Sequence, residues 1–140
     1  MDKCIFCDIL AGRLPSSVVF EDELVYAFMD IQPVNPGHVL VIPKKHARFL
    51  GELDEEIGGH MFRIAQKVAA AVRRSGVRSA GINMFLADGE VAGQEVFHVH
   101  LHVFPRFLSD GFGLRFGPEY GKRPPRRELD EVAKRIRAQL

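Results

Sequence analysis

Residues 96–104 read VFHVHLHVF, with His98, His100 and His102 at every second position and Phe97, Val99, Leu101 and Val103 between them. Successive side chains on a strand point to opposite faces, so three imidazoles would share one face and four apolar groups the other. A helix would scatter the same histidines over roughly 400° of arc, at about 100° per residue. A strand rise of about 3.3 Å per residue sets neighbouring histidines roughly 6.5–7 Å apart along the backbone. That spacing suits one phosphate or one metal ion shared between side chains.

Imidazole is neutral, nucleophilic and able to donate and accept near pH 7. Three arrangements therefore compete. The histidines could lie on a solvated strand face. They could hold zinc with an open position for water. One could attack phosphorus while its neighbours orient it and hold phosphate oxygens. The surroundings rank the phosphate chemistry above the metal. Gln94 has the same strand parity as the histidines, and Asn83 comes from the preceding predicted strand. Neutral amides donate to phosphate without adding negative charge. The stretch ADGEVAG, residues 87–93, can present backbone N–H groups to an anion. No Asp or Glu shares the histidine parity between Gln94 and Phe104, whereas metal-bound histidines usually have carboxylate or carbonyl support.

Cys4 and Cys7 form a C-x-x-C pair. They could be partly buried thiols, half of a zinc site or a redox pair. No strand precedes Cys4, as a thioredoxin-like pair would require. Zinc needs two further ligands, and the chain has 6 histidines.

Positioning these groups falls to a handful of predicted elements. Residues 4–12 read as a short helical turn. Strands are expected at Ser16–Glu21, Leu24–Met29, His38–Pro43, Gly81–Ala87 and Gln94–Phe104, with Pro105 ending the last. Asp54 is placed to cap a helix that runs to about Ser75, with Gly76 as its stop. Ile57, Met61, Ile64, Ala65, Val68 and Val72 form its apolar stripe. His60, at the margin, reads as a packed or solvated residue. Leu108–Gly121 reads as irregular, and Arg126–Leu140 as an amphipathic helix. The first two strands are joined too tightly for a parallel crossover. The expected class is α+β: a five-stranded antiparallel sheet, one long helix and short terminal helices.

At 140 residues, 46% hydrophobic and 26% charged, the chain reads as one globular domain with a core of about residues 4–107 and an extension over 108–140. A net charge of +1, from 19 basic and 18 acidic residues, gives no general nucleic-acid or membrane signature. MDKCIFCDIL lacks the pattern of a signal peptide, and no apolar run nears the roughly 18–20 residues of a membrane span. A cytoplasmic location is expected.

HVHLHVF fits the pattern His-φ-His-φ-His-φ-φ, with φ apolar, and resembles the histidine triad (HIT) superfamily of nucleotide hydrolases and transferases. CIFCDIL, YAFMDIQPVNPGHVLVIPKKH and INMFLADGEVAGQEVFHVHLHVFPR extend the likeness in order and spacing over about residues 4–107. The start resembles the Hint branch of nucleoside phosphoramidases. DGEVAGQ and the PR after the triad resemble bacterial members and the fragile histidine triad branch. The intact third histidine speaks against the branches with Gln there. Glu95 departs from the Ser or Thr common near the leaving group, and the loop differs from the Hint branch by four residues.

The resemblance implies an enzyme that hydrolyses purine nucleoside phosphoramidates or related conjugates at the α-phosphate. His100 would form a covalent nucleotidyl intermediate. His98 and His102 would flank it, with His102 near phosphate oxygens, and His38 would close the histidine cluster. Asn83 and Gln94 would bind phosphate, Asp30 the ribose, and Ile9, Phe28 and Ile31 the base. Cys4, Cys7, His46 and His98 would hold a structural zinc. A homodimer would join two sheets into one of ten strands, with the long helix and the Asn83 strand near the two-fold axis. Diadenosine polyphosphate hydrolysis, zinc-dependent hydrolysis and non-catalytic nucleotide binding are the alternatives.

Overall fold

The computed structural model describes residues 3–140. Five strands, β1 (Val18–Glu21), β2 (Val25–Met29), β3 (Val39–Pro43), β4 (Gly81–Phe85) and β5 (Leu101–Arg106), form one sheet in the order β1-β2-β3-β5-β4. Every pairing is antiparallel. The expected α+β class thus holds, and the nearly all-apolar HVLVIP stretch supplies the central strand, buried on both faces as such a run should be.

Helix α2 (Glu55–Arg74) crosses one face. The Asp54 carboxylate accepts from the N–H groups of Glu56 and Ile57 at 2.9 and 3.3 Å, and Glu55 and Glu56 lie where the helix dipole favours acids. Met61, Ile64, Ala65, Val68 and Val72 pack with Val25, Ala27, Val39, Val41, Val99, Leu101 and Val103 into the main core. Helix α1 (Ile5–Leu10) covers part of the other face. There Phe6 joins Tyr26, Phe28, Leu40 and Ile42 in a second cluster. His60 reaches from α2 to the turn before β2, its Nε2 2.6 Å from Asp22.

Alternation decides which face the histidines take. His102 pairs with Leu40, so it lies opposite the α2 core, on the α1 side. β1 starts two residues later and β4 ends two residues earlier than expected, and both ends of the last strand move further or for a clear cause. The last strand begins at Leu101 rather than Gln94, because the chain bends at Val96–His98 and the Val99 N–H donates to the Ala47 carbonyl instead of a neighbouring strand. The alternation survives the bend only from Val99 onward. Phe97, expected on the apolar face, is 39% exposed and meets Phe49 instead. Pro105 lies inside β5, not after it. β3 pairs with β5 only as far as Val103, so the missing N–H falls where no strand lies, and the Pro105 carbonyl accepts from Asn35.

Helix α3 (Arg126–Arg137) forms where its spacing predicts. From Gly111 to the last residue nothing is buried, and Leu129, Val132 and Ile136 are 42, 40 and 60% exposed. Within the extension the Phe112 ring meets Phe104 of β5, 5.3 Å between centroids, while α3 is exposed throughout. Among the described residues no helix is long and apolar enough to cross a membrane.

Candidate functional site

The three triad imidazoles do not share one ligand. They divide between two clusters, with the Phe6 ring edge-on to both His98 and His100 at 5.7 and 5.2 Å.

The first cluster gathers Cys4, Cys7, His46 and His98, with one donor atom from each lying within 4.8 Å of all the others. Cys4 caps α1, its sulfur accepting from the Cys7 N–H, and this turn brings both sulfurs to one side. His46 arrives on the connection after β3. Cys4 Sγ and Cys7 Sγ lie 3.4 and 3.7 Å from His98 Nδ1, Cys7 Sγ lies 3.3 Å from His46 Nδ1, and the two Nδ1 atoms are 3.1 Å apart. Bonds of about 2.0–2.1 Å to nitrogen and 2.3 Å to sulfur give a tetrahedron with edges of about 3.3–3.8 Å. The observed separations fit that shape. His98 is fully buried, and its Nε2–H donates to the Pro43 carbonyl at 2.8 Å. That bond leaves the Nδ1 lone pair facing the cluster, the support a metal-bound histidine needs. Burial and the adjacent Cys4 push the Cys7 thiol up to about 11, and burial pushes His98 down to about 4. A soft dication would compensate both.

The second cluster holds His38, His100, His102 and Asp30. His100 Nδ1 lies 2.8 Å from the His98 carbonyl. A carbonyl only accepts, so Nδ1 carries the proton and Nε2 keeps its lone pair. No side-chain polar atom of the described residues is both buried and unpartnered, so this unengaged Nε2 reaches the surface. His38 Nδ1 accepts from the Val34 N–H at 3.0 Å. Its proton is therefore on Nε2, which faces His102 Nδ1 at 2.9 Å. His102 then carries its own proton on Nε2, as a donor. Burial lowers all three groups below the ordinary imidazole value, His102 to about 4. At neutral pH the cluster is an uncharged imidazole with a free Nε2 lone pair, His100, beside an oriented donor, His102, with ring centroids 4.9 Å apart.

Asp30, His38 and His102 also bring one ligand atom each within 4.8 Å of one another, a separation a metal ion could span. The Val34 N–H argues against it, because it takes the Nδ1 lone pair of His38 and leaves a proton where the metal would bind. The zinc-dependent chemistry at the triad meets the same obstacle. His98 and His100 turn to different partners, so no point is shared by three free lone pairs.

The remaining expected residues lie on the same side of the sheet or at its rim. Phe28 is buried in the α1 cluster, with Ile9 packed against it, while Ile31 is 91% exposed. Asp30 Oδ2 lies 3.5 Å from His38 Nε2 and 3.9 Å from His102 Nδ1. Asn83 is exposed on β4 opposite Phe104. Gln94 is buried, and its amide is committed to the chain: Oε1 accepts from Gly89 N–H, and Nε2 donates to the carbonyls of Arg48 and Val96. Its oxygen holds the glycine loop, and both its N–H groups are taken by main-chain carbonyls rather than facing outward. Sequence reasoning missed a network around Arg106. Its Nε and Nη2 donate to the two oxygens of Asp110 at 2.6 and 3.0 Å, and its Nη1 donates to Asn83 Oδ1 at 2.7 Å. Asn35 Nδ2 donates to Asp110 at 2.8 Å. The only sequence signal was the PR following the triad.

A buried antiparallel sheet that presents a tautomer-fixed histidine beside a second, donating one is the architecture of a histidine triad protein. The chain belongs to the HIT domain family, whose model matches residues 11–108. It is similar to the Bacillus subtilis protein hit, 46% identical over 113 residues that cover 80% of this chain and 77% of that one. A crystal structure of a zinc-bound histidine triad family protein from Mycobacterium smegmatis is 38% identical, with a TM-score of 0.75, over 97% of this chain and 94% of its own. A histidine triad nucleotide-binding protein from Candida albicans is 27% identical, with a TM-score of 0.85, over 98% and 96%.

Proposed function

We propose that this protein is a nucleotide hydrolase in which His100 attacks the α-phosphorus of a purine nucleoside phosphoramidate or related conjugate. The His98 carbonyl carries this reading. By holding the proton on Nδ1 at 2.8 Å, it keeps the Nε2 lone pair of His100 available. The P–N or P–O bond to the leaving group breaks as the bond to Nε2 forms. Water then cleaves the nucleotidyl-histidine and releases the monophosphate. His102 Nε2–H and Asn83 would hold the phosphate oxygens, Asp30 would accept from the ribose, and Phe28, Ile9 and Ile31 would line the base. The nucleotide-binding relative from Candida supports the substrate class.

Cys4, Cys7, His46 and His98 would hold one zinc per chain in a structural role. The donor set, the observed separations and the zinc-bound Mycobacterium relative support it. Two copies would pair through the open edge of β4, the sheet's last strand, supported by the exposed apolar residues of the extension.

Two measurements test the catalytic reading. Brief exposure to substrate labelled in the α-phosphate should trap label on His100; label elsewhere, or none during turnover, sinks the covalent route. A side-by-side kcat/KM comparison of an adenosine phosphoramidate and a diadenosine polyphosphate should favour the phosphoramidate. The reverse ranking would point to the dinucleoside polyphosphate reading.

A further inference from the structure

We propose that Asn35 is a positioning residue that fixes the hydrogen bond from His38 to His102 and so aims the His102 Nε2–H at the substrate. This rests on the reading of His102 as a phosphate donor. His38 is delivered by a tight turn. Its N–H donates to the Asn35 carbonyl at 3.2 Å across Pro36 and Gly37. Proline at the second position and glycine with a φ of 100° at the third define a type II turn. The Val34 N–H, just ahead of the turn, holds His38 Nδ1 at 3.0 Å. The His38 ring thus takes its tautomer from the loop that carries it. His102 belongs to β5, so the 2.9 Å bond between the two rings spans two elements and depends on where the loop lies over that strand.

The Asn35 side chain sets that place. It is buried, and its Nδ2 donates to the Pro105 carbonyl at 2.9 Å and to Asp110 Oδ2 at 2.8 Å. A carbonyl and a carboxylate only accept, so the NH₂ and not the oxygen must face them, and both its protons are used. Pro105 lies three residues beyond His102 on the same strand. The clamp therefore ties the turn to the element that carries the donor. Asp110 is a fixed post: its side chain is 2% exposed and also accepts from Arg106 Nε and Nη2 and from the N–H groups of Phe107 and Phe112. The turn is seated closely as well, since a side chain at Gly37 would meet Val77 at 2.8 Å and Pro105 at 3.3 Å. On the other side of His38, pairing between β3 and β5 begins at Val39. His38 is thus pinned to β5 from both directions, by the strand ladder after it and by Asn35 before it.

The test reads the ring nitrogens of the full chain, carrying isotopically labelled histidine, by NMR near neutral pH. In the unaltered chain His38 and His102 should each show a single proton position, on Nε2. In Asn35→Ala both rings should move towards the averaged pattern of an imidazole whose proton exchanges between its two nitrogens. There kcat on an adenosine phosphoramidate should fall about tenfold, while adenosine, which has no phosphate, binds within about twofold of normal. In a His38→Ala background, where the bond to His102 is already gone, Asn35→Ala should cost kcat nothing further. If Asn35→Ala does not fold, Asp110→Ala keeps the Pro105 bond and should show the same changes at smaller size. Ring signals that stay put in the folded variant would overturn the proposal whatever the rate. An undiminished loss of kcat in the His38→Ala background would overturn it too, because Asn35 would then act without His38. His102→Ala with normal turnover would instead remove the donor reading of His102, an outcome on which the ring signals do not depend.

Discussion

At His100 the chemistry reduces to where one proton sits. His100→Ala removes the proposed nucleophile, and turnover should fall by about 10³-fold or more while AMP binding persists. Residual turnover close to that of the unaltered chain would remove the covalent mechanism. The histidines also set a pH dependence. His102 is held near 4, and His38 and His100 lie below 6.5. Between those values the unfolded chain takes up protons that the folded chain refuses, so stability rises with pH across this window. The thermal midpoint should therefore fall as pH drops from 7 towards 4. The acid limb of kcat/KM should lie below 6.5, since His100 stays neutral to lower pH than a free imidazole. A midpoint that is flat across the window, or an acid limb above 6.5, would contradict the burial described. The residue types at this site were legible in the sequence. The direction of each ring was not, because it depends on carbonyls from elsewhere: Pro43 for His98, and the main chain of His98 itself for His100.

The elements were legible where one local cause dominates. The Asp54 cap and the stripe from Ile57 to Val72 place α2 to within a residue, since both signals are read within a few positions. Asp54→Ala should cost about 1 kcal/mol, measured by urea unfolding, by leaving the Glu56 and Ile57 N–H groups without their acceptor. The start of β5 was misread because periodicity cannot see that Ala47 competes for the Val99 N–H. Arg106 and Asp110 are four residues apart across a turn, a spacing with no pattern to detect, and Asn35 joins them from 75 residues away. The N-terminal turn makes a different demand. Cys4→Ser should drop zinc well below one per chain, read by metal analysis of protein purified without chelator. Chelation should lower the thermal midpoint yet leave turnover in whatever chain stays folded. Turnover that vanishes with the metal in a folded chain would return the metal to the catalytic step.

For the molecule as a whole, the sheet and the long helix were legible from five short strand-like stretches and one apolar stripe, while the placement of the extension was not. Its helix was legible from Leu129, Val132, Ile136 and Leu140, but spacing says which side is apolar and not what meets it. Here that side stays exposed, with Leu129, Val132 and Ile136 at 42, 40 and 60%. Sedimentation should give about twice the chain mass of 15.7 kDa. Chains ending at residue 112 should shift towards monomer if the apolar side of α3 is buried between copies. A full-length monomer at micromolar concentration would remove the dimer.

Cys4 and His98 stand 94 positions apart yet touch. A cation gripped by both would tie off most of the polypeptide as a single closed ring. The freedom such a tether removes from the disordered chain grows with ring size, so this bridge restrains more than one between near neighbours. Newly made chains would gain this reinforcement only after both ends of that ring had been synthesised, which places metal capture late in the maturation of the protein.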